Sequence, residues 1–252
     1  MSPPARELGT AVLDEKGTHL ALNGELNIYS KWVKEVRGAS QGSFVEVRSS
    51  SGEVVGYGFY EGIGAIGVRL LSYGKGEAFE SGEEAITRRL EEAYELRKEL
   101  GFKSFYRLAN ADGDLLPGLI VDVYNDVAVV QSSCLWADRH LNAIADWLLS
   151  RVERVKTVYA RNDQRSRREV GLPTWRGVVK GRPKTKTRIV EGSVKFFVDV
   201  ERGQKTGFFI DQRPNRMALE ELVDKRHEVL DLFAYTGGFA IHAAIKGASV
   251  VA

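Results

Sequence analysis

The stretch Asp231–Gly238, DLFAYTGG, follows an apolar run and opens an apolar helix. That is the layout of the strand–turn–helix where an α/β protein holds a nucleotide-like cofactor. A dinucleotide requires G-x-G-x-x-G spacing, so that bare backbone can approach its pyrophosphate. Here the first two glycine positions hold Phe233 and Tyr235, and only Gly237 and Gly238 remain to open the turn and start the helix. Bulky rings at those places obstruct a pyrophosphate. S-adenosylmethionine (SAM) carries no phosphates. It needs a turn that accommodates its methionine part, a surface for adenine and an acid for the ribose hydroxyls, and a Gly-Gly turn flanked by aromatics suits it better. At this point an ordinary β–α turn stays open, as does a nicotinamide-dependent oxidoreductase, against which Phe233 and Tyr235 count.

A second constellation is electrostatic. Between Arg161 and Arg188 stand ten Lys/Arg residues and two acids, Asp163 and Glu169, a local net charge of +8 in a chain whose total is +2. Phosphate contacts release counterions and give sequence-independent affinity. The segment therefore predicts a polyanion partner, RNA, held by Arg161, Arg165, Arg167, Arg168, Arg176, Lys180, Arg182, Lys184 and Lys186. Trp175 lies among these charges, placed to stack on a base. The alternative is a solvated loop with a core tryptophan.

Other chemistry is sparse. The one cysteine, Cys134, ends an apolar strand in VVQSSCLW and reads as a packing residue. The four histidines are scattered, so no metal cluster is expected and no catalytic residue is assigned. A single cysteine excludes an internal disulfide and fits a reducing compartment, so a cytoplasmic location is expected. The start, MSPPARELGT, has no apolar core for a signal peptide, and no run of ~18 apolar residues predicts a membrane span.

Local patterns give the elements that must position these groups. Residues 26–72 read as short strands: SFVEVRS and EVVGYGFY flank the turn signal SSG, and IGVRLLS follows. Gly56 and Gly58 inside one strand indicate a sharp bend or a close backbone approach, and a small barrel is expected. From Ser81 the period changes to that of a helix. Ser81 and Glu84 have capping-box spacing. Ile86, Leu90, Ala93 and Leu100 share a face, and Gly101 follows as C-cap. LIVDVY and VAVVQSS are joined at Asn125-Asp126 as a hairpin. A helix around 141–149 and the strand KTVYARN complete an α+β pattern. Beyond Gly192, VKFFVDV is a strand. Pro214 sits in the first turn of a helix. HEVLDLF is a short parallel strand, GFAIHAAIKG a helix, and ASVVA the start of another strand.

The blocks GQKTGFFIDQRPNR and VLDLFAYTGGFAIHAA, with LPGLIVDVYNDVAVVQ and YSKWVKEV further back, resemble the PUA-domain cytosine-5 methyltransferases of large-subunit ribosomal RNA. The resemblance spans nearly the whole chain and is most specific over Gly203–Ala244. It implies a multidomain α/β and α+β protein. Residues 1–75 would form a PUA-like RNA-binding barrel, 76–190 a central α+β domain, and 191–252 the incomplete start of a Rossmann-like methyltransferase domain. It implies SAM as cofactor and ribosomal RNA as partner. Asp231, Tyr235, Thr236 and Gly237 match the cofactor turn; Lys205, Thr206, Gly207, Phe208 and Phe209 match the segment over the bound methionine part. Asp211, Gln212, Arg213 and Arg216 match the polar segment beside the same cleft. One of Phe208 and Phe209, at least, is expected to be core.

In that family the catalytic cysteine and an Asp-Pro-Pro loop lie downstream of the turn, and the ribose-gripping acid ends the next strand. The expectation is therefore a catalytically incomplete N-terminal portion. It would bind SAM weakly or not at all, expose sheet edge and apolar surface, and be disordered, homo-oligomeric or paired with the missing piece. A non-catalytic RNA-binding module with a structural α/β remnant is the other reading.

Overall fold

The computed structural model describes residues 8–74 and 77–252, so the expected boundary between residues 75 and 76 falls outside the described residues. The chain forms two compact units, Met1–Lys184 and Thr185–Ala252.

In the first unit, β1 (Gly9–Leu13), α1 (Glu15–Leu22), β2 (Asn27–Tyr29), β3 (Val33–Arg37), β4 (Phe44–Arg48), β5 (Val54–Tyr60) and β6 (Ile66–Tyr73) come first. The strands form one mixed sheet in the order β2-β6-β5-β4-β1-β3, in which only β1 and β4 run parallel. In a flat sheet the two edge strands would lie roughly 24 Å apart, five gaps of about 4.8 Å. Yet β2 and β3 are consecutive, joined only by the 3-10 turn Ser30–Trp32. The chain cannot span a flat sheet in so few residues, so the sheet curls on itself as a barrel does. Gly58 permits part of that curl: an added Cβ would sit 2.1 Å from the Arg69 carbonyl oxygen on β6.

Next comes α2 (Gly82–Glu99). The Ser81 hydroxyl accepts the Glu84 N–H and the Glu84 carboxylate accepts the Glu80 N–H, close to the expected box. Ala85, Ile86, Leu90 and Ala93 are buried, whereas Leu100 is 63% exposed because it caps the helix rather than continuing it. Then follow β7 (Phe105–Asn110), β8 (Leu119–Tyr124), β9 (Val127–Ser132), α3 (Leu135–Arg139), α4 (Leu141–Arg151), β10 (Thr157–Asn162), α5 (Ser166–Glu169) and β11 (Trp175–Gly181). The second sheet has the order β11-β10-β9-β8-β7, with β9 and β10 parallel. Asn125 takes φ +54° in the β8–β9 turn, as the hairpin signal requires.

The two sheets share one core. Phe59 of β5 stacks on Trp136 of α3 at 5.3 Å between centroids, and Leu71 and Phe79 join the cluster that holds Leu90, Val121, Val130 and Ile144. The buried Glu61 accepts the Leu135 N–H at the start of α3.

The second unit opens with the hairpin β12 (Lys186–Glu191) and β13 (Val194–Asp199). Because β12 pairs with β13, the unit starts ahead of the expected residue 191. After a loop come α6 (Arg213–Leu222), β14 (Glu228–Leu230), α7 (Gly238–Ile245) and β15 (Ser249–Val251), with β14 and β15 parallel. The expected buried strand HEVLDLF is shorter and more exposed than its apolar run suggests. Among the described residues β14 pairs only with β15, and Leu230, Leu232 and Val251 face solvent. Exposed sheet edge and apolar surface were expected here and are present. No described helix is long and apolar enough to cross a membrane.

Gly58→Ala is expected to lower the stability of the first unit by about 1–3 kcal/mol, since β5 and β6 must separate to admit the methyl group. A chemical-denaturation midpoint equal to that of the parent protein would contradict this.

Candidate functional site

The turn after β14 is built on strained backbone. Asp231 extends the ladder by donating its N–H to the Val251 carbonyl (2.8 Å), and its Oδ2 accepts the Ala240 N–H (3.0 Å) in the first turn of α7. Gly237 caps the helix with φ +70°, a conformation suited to glycine. Phe233 and Tyr235 hold positive φ as well, +62° and +54°. For L-residues that costs about 1–2 kcal/mol each, and such strain concentrates at ligand sites.

Tyr235 clasps a second segment to this turn. Its hydroxyl accepts the Gln204 N–H (2.9 Å) and donates to the Gly207 carbonyl (3.1 Å), and its ring meets Phe209 edge-on at 5.5 Å. The clasp demands glycine at 203, where a Cβ would lie 2.8 Å from the Tyr235 hydroxyl and 2.6 Å from the Asp199 carbonyl oxygen. Between turn and segment lies a cavity of about 660 Å³, lined by Gln204, Phe208, Phe209, Gln212, Arg216, Asp231, Leu232, Phe233, Ala234, Tyr235, Thr236, Gly238 and Phe239. Phe233 is wholly exposed at its rim.

Beneath the cavity is a buried charge network. Arg216 donates from Nε (2.5 Å) and Nη2 (2.9 Å) to the Glu191 carboxylate and from Nη1 (3.0 Å) to the Phe209 carbonyl. Its guanidinium lies over the Phe208 ring at 4.7 Å. His242, fully buried, places Nε2 3.0 Å from Glu191 and Nδ1 2.5 Å from Glu220. The Nε2 contact is at ion-pair distance but lacks hydrogen-bond alignment. Arg213 Nε stands 3.5 Å from Glu191.

Of the residues expected at a cofactor site, Phe208, Phe209, Gln212, Arg216, Asp231, Phe233, Tyr235 and Thr236 line the cavity. Lys205, Thr206, Gly207, Asp211, Arg213 and Gly237 do not. Lys205 is engaged by Asp211 at 3.1 Å and lies over the Phe209 ring. Burial pushes the Asp211 carboxyl up, but the Lys205 hydrogen bond and charge outweigh it and hold the carboxyl below its usual value. The pair is thus intact near neutrality and is lost as pH falls through that lowered value. Thr206 is buried, and Gly207, at φ +132°, lets the segment pass against Val198. Arg216 lines the cavity, yet its donors hold Glu191 and Phe209, so its part is to fix the wall. Phe208 is buried against Phe196, the core role expected of one of the pair. Gln204, Leu232, Ala234 and Phe239 were missed, although all flank the quoted motifs.

The basic segment of the first unit looks different in three dimensions. Arg167 is no RNA contact: it is wholly buried, donating to the Pro173 carbonyl (2.9 Å), to the Ser132 carbonyl and hydroxyl, and to Asp138 (2.7 Å). Arg161 is buried beside Asp163, and Arg176 pairs with the same carboxylate at 2.8 Å. Lys180 pairs with Asp146, and Lys184 with Asp126. Trp175 is half-buried against the shared core. Arg165, Arg168 and Arg182 remain exposed, with no acidic partner among the described residues. Lys186 belongs to the second unit, 3.9 Å from Asp199. Cys134 is fully buried, and burial followed by the nearby Glu61 charge pushes its thiol up to about 12, so it is no nucleophile. Among the described residues no group of three or more His, Cys, Asp or Glu is placed to hold a metal.

Glu191→Ala leaves Arg216 buried without its counter-charge and is expected to cost the second unit about 3–5 kcal/mol. The check is amide hydrogen exchange, which should accelerate throughout α6 and α7; unchanged protection there would refute the assignment.

Residues 159–252 match the model of the S-adenosylmethionine-dependent methyltransferase family, and residues 11–73 match that of a PUA-like domain. A Methanocaldococcus jannaschii protein, provisionally named ribosomal RNA large subunit methyltransferase MJ1653, is 39% identical over 210 residues, covering 83% of this chain and 52% of its own length. Ribosomal RNA large subunit methyltransferase I of Alteromonas mediterranea is 34% identical over 228 residues, covering 89% of this chain and 56% of its own. The chain thus spans about half the length of the curated relatives it matches. In fold it is similar to a Streptococcus mutans protein provisionally titled a SAM-dependent methyltransferase, with TM-score 0.73 and 19% identity over 95% of this chain and 61% of that one. Two stretches of the chain are thus similar to a PUA-like domain and to the S-adenosylmethionine-dependent methyltransferase family, and the two relatives quoted carry names of ribosomal RNA large-subunit methyltransferases.

Proposed function

We propose that this chain belongs to an enzyme that moves a methyl group from SAM to a base of large-subunit ribosomal RNA, at C5 of a cytosine. The observation that carries the reading is the aromatic cavity at the strained β14–α7 turn. SAM supplies an electrophilic methyl on a sulfonium. The residues present fit that group. The rings of Phe233 and Tyr235 favour a cation, and Asp231 adds negative charge on the cavity wall. Phe233 and Tyr235 stand where a pyrophosphate would need bare backbone, which argues against a dinucleotide.

The choice of cytosine C5 rests on the resemblance of the Gly203–Ala244 block. That chemistry requires a thiolate to attack C6, methyl transfer to C5, loss of the C5 proton and expulsion of the thiol. Cys134, buried and protonated, does not supply that thiolate. Within the basic segment's part of the first unit, Arg165, Arg168 and Arg182 are the exposed side chains without an acidic partner among the described residues, and they are assigned to phosphates. Arg167, anchored to Ser132, Pro173 and Asp138, shapes the loop that carries two of them.

Two measurements test this reading. Saturation-transfer NMR, which detects weak ligands, is expected to show SAM but not NADH in contact with the chain, and to lose the SAM signal in Tyr235→Ala. Saturation of NADH alone would overturn the cofactor assignment. Reversing Arg165, Arg168 and Arg182 to Glu is expected to weaken RNA binding and lower its salt slope by about two or more, at ~0.7 per single-strand phosphate contact. An unchanged slope would make the loop a solvated surface only.

A further inference from the structure

The β12–β13 hairpin has two faces of opposite character. Thr187, Ile189, Glu191, Val194, Phe196 and Val198 point inward and are buried. The outward phase carries Lys186, Arg188, Val190, Lys195 and Phe197. Phe197 is 80% exposed, on a two-stranded ladder closed by the two-residue turn Gly192–Ser193. Arg188 sits directly opposite Phe197, and Lys195 directly opposite Val190. Side chains so paired lie about 5 Å apart at Cβ, so Arg188 stands beside the ring, while Lys195, two residues along the same strand, lies roughly 7 Å along the same face. Among the described residues neither Arg188 nor Lys195 has an acidic partner. The one acid on this face, Asp199, accepts the N–H groups of Glu201 and Arg202.

We propose that this face is a docking platform for single-stranded RNA, on which a base stacks on Phe197 while Arg188 and Lys195 hold the neighbouring phosphates. An exposed ring among unpaired cations has the two components of such a platform, a π-face and charge complementary to the backbone. A second copy of this chain or a protein partner would need a wider apolar surface than Phe197 and Val190 offer, and acids to meet the cations. The inference rests on the reading of the chain as RNA-acting. It adds to that reading a contact on the other compact unit, made by Phe197, by Lys195 and by Arg188, the last residue of the basic segment.

The test uses the 252-residue chain and a single-stranded oligoribonucleotide carrying 2-aminopurine, whose fluorescence drops when its base stacks. Phe197→Ala is expected to weaken binding about tenfold and abolish the fluorescence change, while Phe197→Trp keeps both. Arg188→Glu with Lys195→Glu is expected to weaken binding and lower the salt slope by about one or more. The ring is exposed, so the melting midpoint of Phe197→Ala should match the parent. If Phe197→Ala binds RNA with unchanged affinity and signal, the platform is overturned and the methyltransferase reading stands. If the parent chain binds no RNA, that reading falls and the platform with it. If Phe197→Ala instead loses self-association in sedimentation with RNA binding intact, the face belongs to a second copy and the proposal is overturned.

Discussion

The second unit depends on one buried ion pair. Glu191 comes from the end of β12 and Arg216 from α6, while His242 of α7 packs on the same carboxylate. The guanidinium also holds the Phe209 carbonyl and covers the Phe208 ring. A carboxylate and a guanidinium taken out of water are tolerable only when each satisfies the other. Hairpin, two helices and the loop over the cavity are therefore locked at one point. The two-stranded β14–β15 sheet, with much of its apolar surface in water, offers little competing support.

That lock was not read from the sequence: Arg216 was expected beside the cofactor cleft and Glu191 was not singled out, although a local signal exists. In KTRIVE the inward phase is Thr187, Ile189 and Glu191, so alternation alone places a carboxylate among apolar residues and asks for a buried cation. The capped helix α2, the Asn125 hairpin, the close approach at Gly58 and the DLFAYTGG turn were readable because each is set by neighbours in sequence. Strands β1 and β7 and helix α1 were not picked out, since short segments without clear periodicity carry little local signal. The barrel's closure was legible only as composition; its cause, two edge strands adjacent in sequence, lies in the pairing order.

The basic segment shows why charge counted along a chain misleads. Its +8 is partly cancelled by carboxylates outside it, Asp126, Asp138 and Asp146, brought by the β8–β9 turn and by α3 and α4. Arg167 was expected among the RNA contacts and is instead a core residue with every nitrogen engaged. Arginine is suited to such use because its planar fork matches several acceptors at once. No local pattern separates an arginine that faces a phosphate from one that ties a strand end, a helix and a loop together.

The barrel and the central sheet meet through Phe59 and Trp136, with Glu61 bonded to the head of α3. They are consequently not interchangeable modules. A chimera that swapped the barrel for another of the same topology would have to recreate an aromatic partner for a tryptophan ring and an acceptor for a helix terminus. Recombination at the start of α2, where the sequence invites a cut, would leave both halves with an open wound in their interior.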